Sequence, residues 1–555
     1  VPDEAPAAPP PAAPPKKPRS QVERDRATRL RVLRRVSQTG FLLLFLGLFF
    51  ATTLLGHARA PVFVGLYVRA DPLVALLTML GARHPALAMV LPALVILVLT
   101  ALAGRVFCGW ICPLGTTIDV TDRLLWRGGT SKQRPGDGDT RFRRWKFYLL
   151  IAFVGAALLG LQVAYFLDPL SLLWRTLTFS VFGPLKLIYN AGLDLVRPLL
   201  ERAFDVDLVP YYAPGFSMRS NWIALVMFLA ILLLSRYQER FFCRNLCPLG
   251  ALLGLVGRWP RLRHWFLPGC NDCGRCALTS RMGAYHQIRG RRFAHSPTEC
   301  IQCFRCGTNC VPDALHVGFT APAGVEQPLP RFPLDVGRRQ TLGALAAGAA
   351  AVLTVRTNPR AAADSFRAIR PPGALPEKQF LEACTRCGMC MKVCPTNGLQ
   401  PAFLEAGLEG LWTPVLVSKI GPCAEFCTSC GEVCPTGAIR PFNNREHKHQ
   451  DIHLGLAQVN PTLCIAINGG RNCIVCAEVC SYKAVVFKDE LDPKLGRVKR
   501  VPTVDEQKCV GCGICENKCP THPEPAIVVY AMKEKRTYPA PRPGLLDALR
   551  APKAP

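Results

Sequence analysis

Long uncharged stretches alternate with arginine-rich ones through the first half of the chain. Val36–Gly56, Pro85–Gly104 and Phe147–Leu167 contain no Asp, Glu, Lys or Arg. Each approaches the roughly twenty apolar residues that cross a bilayer as a helix. Ser220–Ser235 is shorter, but Arg219 and Arg236 flank it and can reach the interfaces. The pattern predicts an α-helical membrane domain of four spanning helices over residues 36–267. Nine Lys/Arg lie between Lys16 and Arg35 and nine in the loop 105–146, against three in the loop 57–84. Basic loops stay cytoplasmic. The N-terminus, the 105–146 loop and the segment after Ser235 are therefore expected on the cytoplasmic side.

The two halves of this region repeat. Asp71-Pro72-Leu73, a span and Phe107-Cys108-x-x-x-Cys112-Pro113-Leu114-Gly115 recur as Asp168-Pro169-Leu170, a span and Phe242-Cys243-x-x-x-Cys247-Pro248-Leu249-Gly250. With two spans in each half, the repeats run parallel about a pseudo-two-fold axis along the membrane normal. Leu185–Leu200 is expected as a helix on the periplasmic surface. Residues 1–35 form a basic arm whose Pro/Ala-rich start, 1–20, is expected to be disordered. A small cysteine-rich module fills 268–320, and a linker, 321–363, follows. The linker contains Gly337-Arg338-Arg339-Gln340-Thr341-Leu342 and an alanine-rich stretch to Val355. A twin arginine before a weakly apolar helix is an export address, and the same helix also reads as a fifth anchor. Both place 364–555 in the periplasm. The Ala361-Ala362-Ala363 run is a weak match to a processing site. Residues 531–555 form a basic, Pro-rich tail.

Charge and cysteine content sharpen the picture. Lys and Arg number 67 against 39 acids. The basic runs flank apolar segments, which points to the membrane and away from nucleic acid. Of 27 cysteines, 23 lie in tight runs, unlike a disulfide scaffold or a paired zinc site. Three cysteines at steps of three, then a fourth four residues on, is the run that ligates cubane clusters, and the fourth serves the neighbouring cluster. Applied to 364–530, this crossing gives four [4Fe-4S] clusters. One takes Cys384, Cys387, Cys390 and Cys434, and its partner takes Cys423, Cys427, Cys430 and Cys394. A third takes Cys464, Cys473, Cys476 and Cys519, and the fourth takes Cys509, Cys512, Cys515 and Cys480. Strands at Ala484–Phe487 and Ala526–Tyr530 suit small α+β ferredoxin-like modules.

The 268–320 module is less regular. Cys270, Cys273 and Cys276 are closed by Cys310. Cys300, Cys303 and Cys306 meet Ser280 where a fourth cysteine is expected. One or two further clusters follow. The second site is open between a [3Fe-4S] cluster, ligation by Ser280 or another group (a thiol of the Cys-x-x-x-Cys motifs among them), and no cluster. Cys108, Cys112, Cys243 and Cys247 are expected to meet at the repeat interface, each pair on one helix face through its spacing of four. They read as a cluster site, a redox thiol set or buried inert thiols. Asp71 and Asp168 lie toward the other side. Each precedes a proline, so each is a helix cap or a carboxylate that accepts a quinol proton. No phosphate loop, dinucleotide fingerprint or Cys-x-x-Cys-His motif occurs. The chain therefore reads as a relay between a lipid-soluble donor and another protein.

The two Cys-x-x-x-Cys-Pro motifs and the module after them resemble the NapH-type membrane ferredoxins, relatives of NosR and CcoG. The twin arginine and four cysteine runs of 337–530 resemble the NapG/MauM-type periplasmic ferredoxins. The chain looks like a fusion of the two. The resemblance implies a quinol dehydrogenase of the bacterial inner membrane. It would draw on the quinol pool and feed a periplasmic cytochrome or reductase, such as a nitrate reductase, within a larger complex. CcoG-like and methylamine-utilisation relatives imply an alternative, a maturation factor that reduces metal or thiols for a periplasmic redox enzyme.

Overall fold

The computed structural model describes residues 19–536 apart from 55–64, 84–86, 126–139, 205–214, 220, 289–290, 323–328, 330, 332–335, 357–366, 442–447, 449–451, 469–471 and 493–496. Most of the N-terminal arm's Pro/Ala-rich start, Ala361-Ala362-Ala363 and most of the C-terminal tail lie outside the described residues.

Apolar runs set the helical half. Helix α1 spans Arg19–Leu54 and so begins well before the expected start at Val36. Helix α2, Pro72–Ala82, and α3, Leu87–Ala103, follow. Then come α4, Pro113–Leu125, and α5, Trp145–Leu158. The second repeat supplies α6, Pro169–Thr176, α7, Phe182–Phe204, α8, Asn221–Tyr237, and α9, Pro248–Val256. The twin-arginine segment forms α10, Arg338–Arg356. Among the described residues, Val22–Thr52 alone is long and apolar enough to cross a membrane. Pro72–Ala82, Ala88–Ala103, Trp145–Leu158 and Trp222–Tyr237 are shorter apolar helices.

Two expectations need correction. The stretch Phe147–Leu167 is not one helix: α5 stops at Leu158, where Gly160 takes φ +80° and donates its N–H to the Ala157 carbonyl at 2.8 Å. The loop 57–84 is not merely a connection, because it holds α2, matched in the second repeat by α6. Asp71 and Asp168 start these two helices as N-caps, each with proline at the first helical position. Leu185–Leu200 falls inside α7 as expected, with Leu187, Ile188 and Leu195 exposed.

Aromatic side chains centre the helical core. Trp174 meets Phe45 and Phe49 edge-on, with ring centroids 5.5 and 5.1 Å apart. Such pairs add about 0.5–1.5 kcal/mol each beyond their burial. Helix α10 lies along α5, with Gly348 against Ala152 and Leu345 against Gly155. Gln340 accepts a hydrogen bond from the Tyr148 hydroxyl at 2.8 Å. A Cβ at Gly348 would collide with the Ala152 carbonyl, so small residues permit this approach.

The cysteine runs fold into three modules of one topology, an outer strand pair around an inner hairpin. Arg263–Phe266 pairs with Leu315–Gly318 around Tyr285–Ile288 and Arg291–His295. Leu456–Val459 pairs with Ile527–Tyr530 around Val485–Asp492 and Arg497–Val504. The middle module has an Ala374–Ile439 bridge around Leu399–Pro401 and Pro414–Leu416. In each, one cysteine run precedes the hairpin and the other follows it. The 263–318 module packs on the start of α1, through Arg24 to Asp313 (2.6 Å) and Glu23 to His316 (3.0 Å). The middle module packs on the other end of α1, where Lys392 Nζ reaches the Phe49 carbonyl and Thr52 Oγ1. The 263–318 module and the middle module therefore sit at opposite ends of α1.

Candidate redox sites

Each expected set of four C-terminal thiols converges. Cys390 lies within electrostatic reach of Cys387, Cys384 and Cys434, and Cys430 of Cys427, Cys423 and Cys394. Cys476 senses Cys464, Cys473 and Cys519, and Cys515 senses Cys512, Cys509 and Cys480. In the 263–318 module Cys276 senses Cys270 and Cys310, and Cys310 senses Cys273. The crossed fourth position is thus met in every complete set. The sets also adjoin one another: Cys390 senses Cys430, and Cys512 senses Cys423.

The sites fit iron rather than free thiols. Burial pushes the Cys512 thiol up to about 12 and the Cys476 thiol up to about 11. A cation that replaces the protons makes four such buried sulfurs compatible. Cys464, Cys473, Cys476 and Cys519 line one cavity together. Backbone N–H groups are aimed at the sulfurs, Ala484 at Cys480 and Ala526 at Cys519, both at 3.3 Å. Lys448, a residue that spacing alone does not single out, donates to Cys423 Sγ at 3.2 Å and to the carbonyls of Ala424 and Cys427 at 2.8 Å. Burial opposes its charge, but the neighbouring Cys423 sulfur outweighs this and holds its pKa above the ordinary lysine value.

Cys108, Cys112, Cys243 and Cys247 also meet. Cys112 senses Cys243 and Cys108, and Cys247 senses all three others. The route differs from the expected single helix face. Phe107–Ile111 and Phe242–Leu246 are turns of π-helix, and Cys112 and Cys247 stand at the breaks before α4 and α9. Two buried arginines, again in repeat register, flank the thiols. Arg240 donates to the carbonyls of Cys108 (3.0 Å) and Gly115 (3.1 Å). Arg105 Nη2 stands 3.9 Å from Cys108 Sγ and lies against Gly250, the counterpart of Gly115. The matching Arg-x-x-Cys register at Arg105 and Arg240 was the available sequence signal for them. Asp119 binds Arg240 at 2.8 Å, Arg34 at 2.9 Å and Arg281.

Asp71 and Asp168 come together at the other end. Both are fully buried. Asp71 Oδ1 accepts from the N–H groups of Leu73 (2.8 Å) and Val74 (3.2 Å), and Asp168 Oδ2 accepts from Ser171 (2.7 Å). Their remaining oxygens are buried with no hydrogen-bond partner among the described residues, and the two carboxyls lie within electrostatic reach of each other. One oxygen of each carboxyl thus caps a helix, and the other is left over from the capping. Arg175 is in electrostatic contact with both Asp168 and Cys387, and it stacks on Trp412 at 4.2 Å.

At the irregular site, Cys300, Cys303, Cys306 and Ser280 line one cavity with His264 and Tyr285.

The comparisons match several of the cysteine-bearing segments. A 4Fe-4S binding domain model matches residues 85–130 and 220–264, a 4Fe-4S dicluster domain matches 471–522, and a second 4Fe-4S binding domain matches 379–400. The methylamine utilization ferredoxin-type protein MauM of Methylorubrum extorquens is 38% identical over 198 residues, 34% of this chain and 86% of the relative. The ferredoxin-type protein NapG of Escherichia coli is 40% identical over 210 residues, 36% of this chain and 85% of its own length. MauN of Methylorubrum extorquens is 29% identical over 254 residues, 44% of this chain and 72% of its length. No solved structure matches.

Proposed function

The chain belongs to the MauM/NapG family of ferredoxin-type proteins, and from that premise we propose that it is a membrane-embedded quinol dehydrogenase fused to its own electron outlet. As an iron–sulfur protein of this family it transfers electrons. To this it adds membrane insertion, quinol oxidation and a periplasmic acceptor. In this reading α1, α3, α5 and α8 cross the inner membrane, α10 remains as an uncleaved crossing, and α2 and α6 are half-helices that begin at the carboxyl pair. The 263–318 module is cytoplasmic, and 364–555 is periplasmic.

The observation that carries the reading is the carboxyl pair beside a thiol set, bridged by Arg175. Quinol oxidation releases two protons and two electrons. The pair offers oxygens that accept a proton inside an apolar wall. The bound cubanes supply one-electron acceptors. Arg175 and Arg386, stacked around Tyr165 and Trp412, hold the module against the pair. From Cys387 the thiol sets continue through Cys430 and Cys423 to Cys512, and the set containing Cys464 is the outlet. By analogy with NapG the acceptor is a periplasmic reductase or cytochrome. Four clusters in 364–530 and two in 263–318 complete the assignment.

Anaerobically purified chain should bleach its cluster absorption when a menaquinol or ubiquinol analogue is added. Clusters that stay oxidised with quinols but respond to copper or partner thiols would favour the maturation role instead. Cys108→Ala or Cys243→Ala is expected to stop electron flow between the two ends of the chain while the C-terminal clusters still assemble. Electron transfer between the two ends at the wild-type rate in both variants would return these cysteines to inert thiols.

A further inference from the structure

The cavity lined by the three thiols of Cys300, Cys303 and Cys306 is also lined by Ser280. The backbone around that serine is that of a ligand position. Three runs share one local geometry. Gly274, Gly388 and Gly513 each take a left-handed conformation, φ 70°, 85° and 80°, directly after the second cysteine. Each then starts a five-residue helix that carries the third cysteine. The residue ending that helix is Ser280 (φ −73°, ψ 108°), Cys394 (φ −65°, ψ 114°) or Cys519 (φ −60°, ψ 126°). Cys394 and Cys519 are crossed fourth thiols in their own modules.

The hydrogen bonding matches as well. Cys310 Sγ accepts from Ala314 N and Cys480 Sγ from Ala484 N, each four residues on, at 3.3 Å. Ser280 Oγ accepts from Ala284 N, also four residues on, at 2.9 Å. The oxygen is thus held, and its negative form stabilised, by the N–H that elsewhere serves a ligating sulfur.

His264 is the competing donor. Its Nε2 lies 4.0 Å from Cys300 Sγ, and with His295 it forms a compact group of metal-type donors. Both of its ring nitrogens already have partners, Nδ1 with the Tyr285 hydroxyl at 2.7 Å and Nε2 with Gln302 Oε1 at 3.3 Å. Tyr285 in turn donates to Cys306 Sγ at 3.4 Å. These groups brace the thiol side of the cavity.

We propose that Ser280 Oγ is the fourth ligand of a cubane otherwise held by Cys300, Cys303 and Cys306. This rests on the reading that the 263–318 module carries two clusters. On ligation the Oγ–H bond breaks as the Oγ–iron bond forms, and the proton leaves to solvent, which reaches the half-exposed side chain. No thiol from Cys108, Cys112, Cys243 or Cys247 is needed at this site.

The test uses the full chain purified anaerobically, with iron and sulfide content, spin resonance and Mössbauer spectra. Ser280→Ala should lose about one iron per chain and gain a three-iron signal, since one corner loses its ligand. Ser280→Cys should keep the iron, show no three-iron signal and shift that cluster's midpoint potential. The assignment is overturned if Ser280→Ala leaves iron content and spectra unchanged, if wild-type chain already carries the three-iron signal, or if His264→Ala, rather than Ser280→Ala, produces it. Cys303→Ala separates the two levels of the argument. If it removes no iron and no signal, the cavity holds no cluster, and the two-cluster reading of the module falls together with the ligand.

Discussion

Replacing both carboxyls, Asp71→Asn together with Asp168→Asn, is expected to slow quinol-dependent cluster reduction at least about 10²-fold, the scale of a lost general base. Dithionite should still reduce the clusters at the wild-type rate, and iron content should not change. Asparagine caps helices about as well as aspartate, so Leu73, Val74 and Ser171 keep their acceptors and α2 and α6 keep their starts. What is lost is an oxygen able to take a proton. Either single variant leaves one carboxyl and should fall between the two extremes. Stopped-flow reduction with a quinol analogue reads the difference. A double variant that accepts electrons from quinol at full speed would leave the pair as caps only, and the proposed donor site would have to lie elsewhere.

The carboxyl pair also illustrates what linear order does and does not reveal. The repeated Asp-Pro-Leu motif announced two similar caps, and the caps are there. That the two caps come together is a tertiary fact, since 97 positions separate Asp71 from Asp168 and no periodicity links them. The cysteine runs were more legible because cluster ligation fixes spacing: the crossed sets at Cys434, Cys394, Cys519 and Cys480 fall where the runs imply. Other features were hidden by a correct but coarser rule. Arg34, Arg105 and Arg240 look like the basic flanks of apolar helices, yet each is at most 2% exposed and serves the thiol site or its anion. Helix ends shifted for local reasons, at Gly160 by a positive φ and at Cys112 and Cys247 by π-turns that uncharged stretches do not encode. Helix α10 shows the same limit. Its Arg338-Arg339 pair reads as an export signature, while Gly348 and Leu345 pack on α5, and composition alone does not rank the two.

Asp119→Asn should destabilise the chain far more than any surface charge change. Its carboxylate is buried among guanidinium groups that belong to different parts of the fold. Arg34 and Gln38 come from α1, at 2.9 and 3.1 Å. Arg240 comes from the second repeat through two bonds, at 2.8 and 2.9 Å, and Arg281 from the 263–318 module. Removing the anion leaves buried cations with no compensating charge, and breaking such a pair from one side costs about 3–5 kcal/mol. The exposed Arg500–Asp489 pair, 3.6 Å apart with both side chains more than 60% exposed, is a control in the same protein, and Asp489→Asn should cost no more than about 1 kcal/mol. Because Arg240 also holds the Cys108 and Gly115 carbonyls, the Asp119 variant should loosen the four-thiol site before the C-terminal modules. Thermal unfolding in detergent, followed by alkylation of Cys108 and Cys243 at rising temperature, reads both effects. Equal melting of the Asp119 and Asp489 variants, with no earlier labelling of those thiols, would mean that water already reaches the arginines and that the charge network does not join the two repeats.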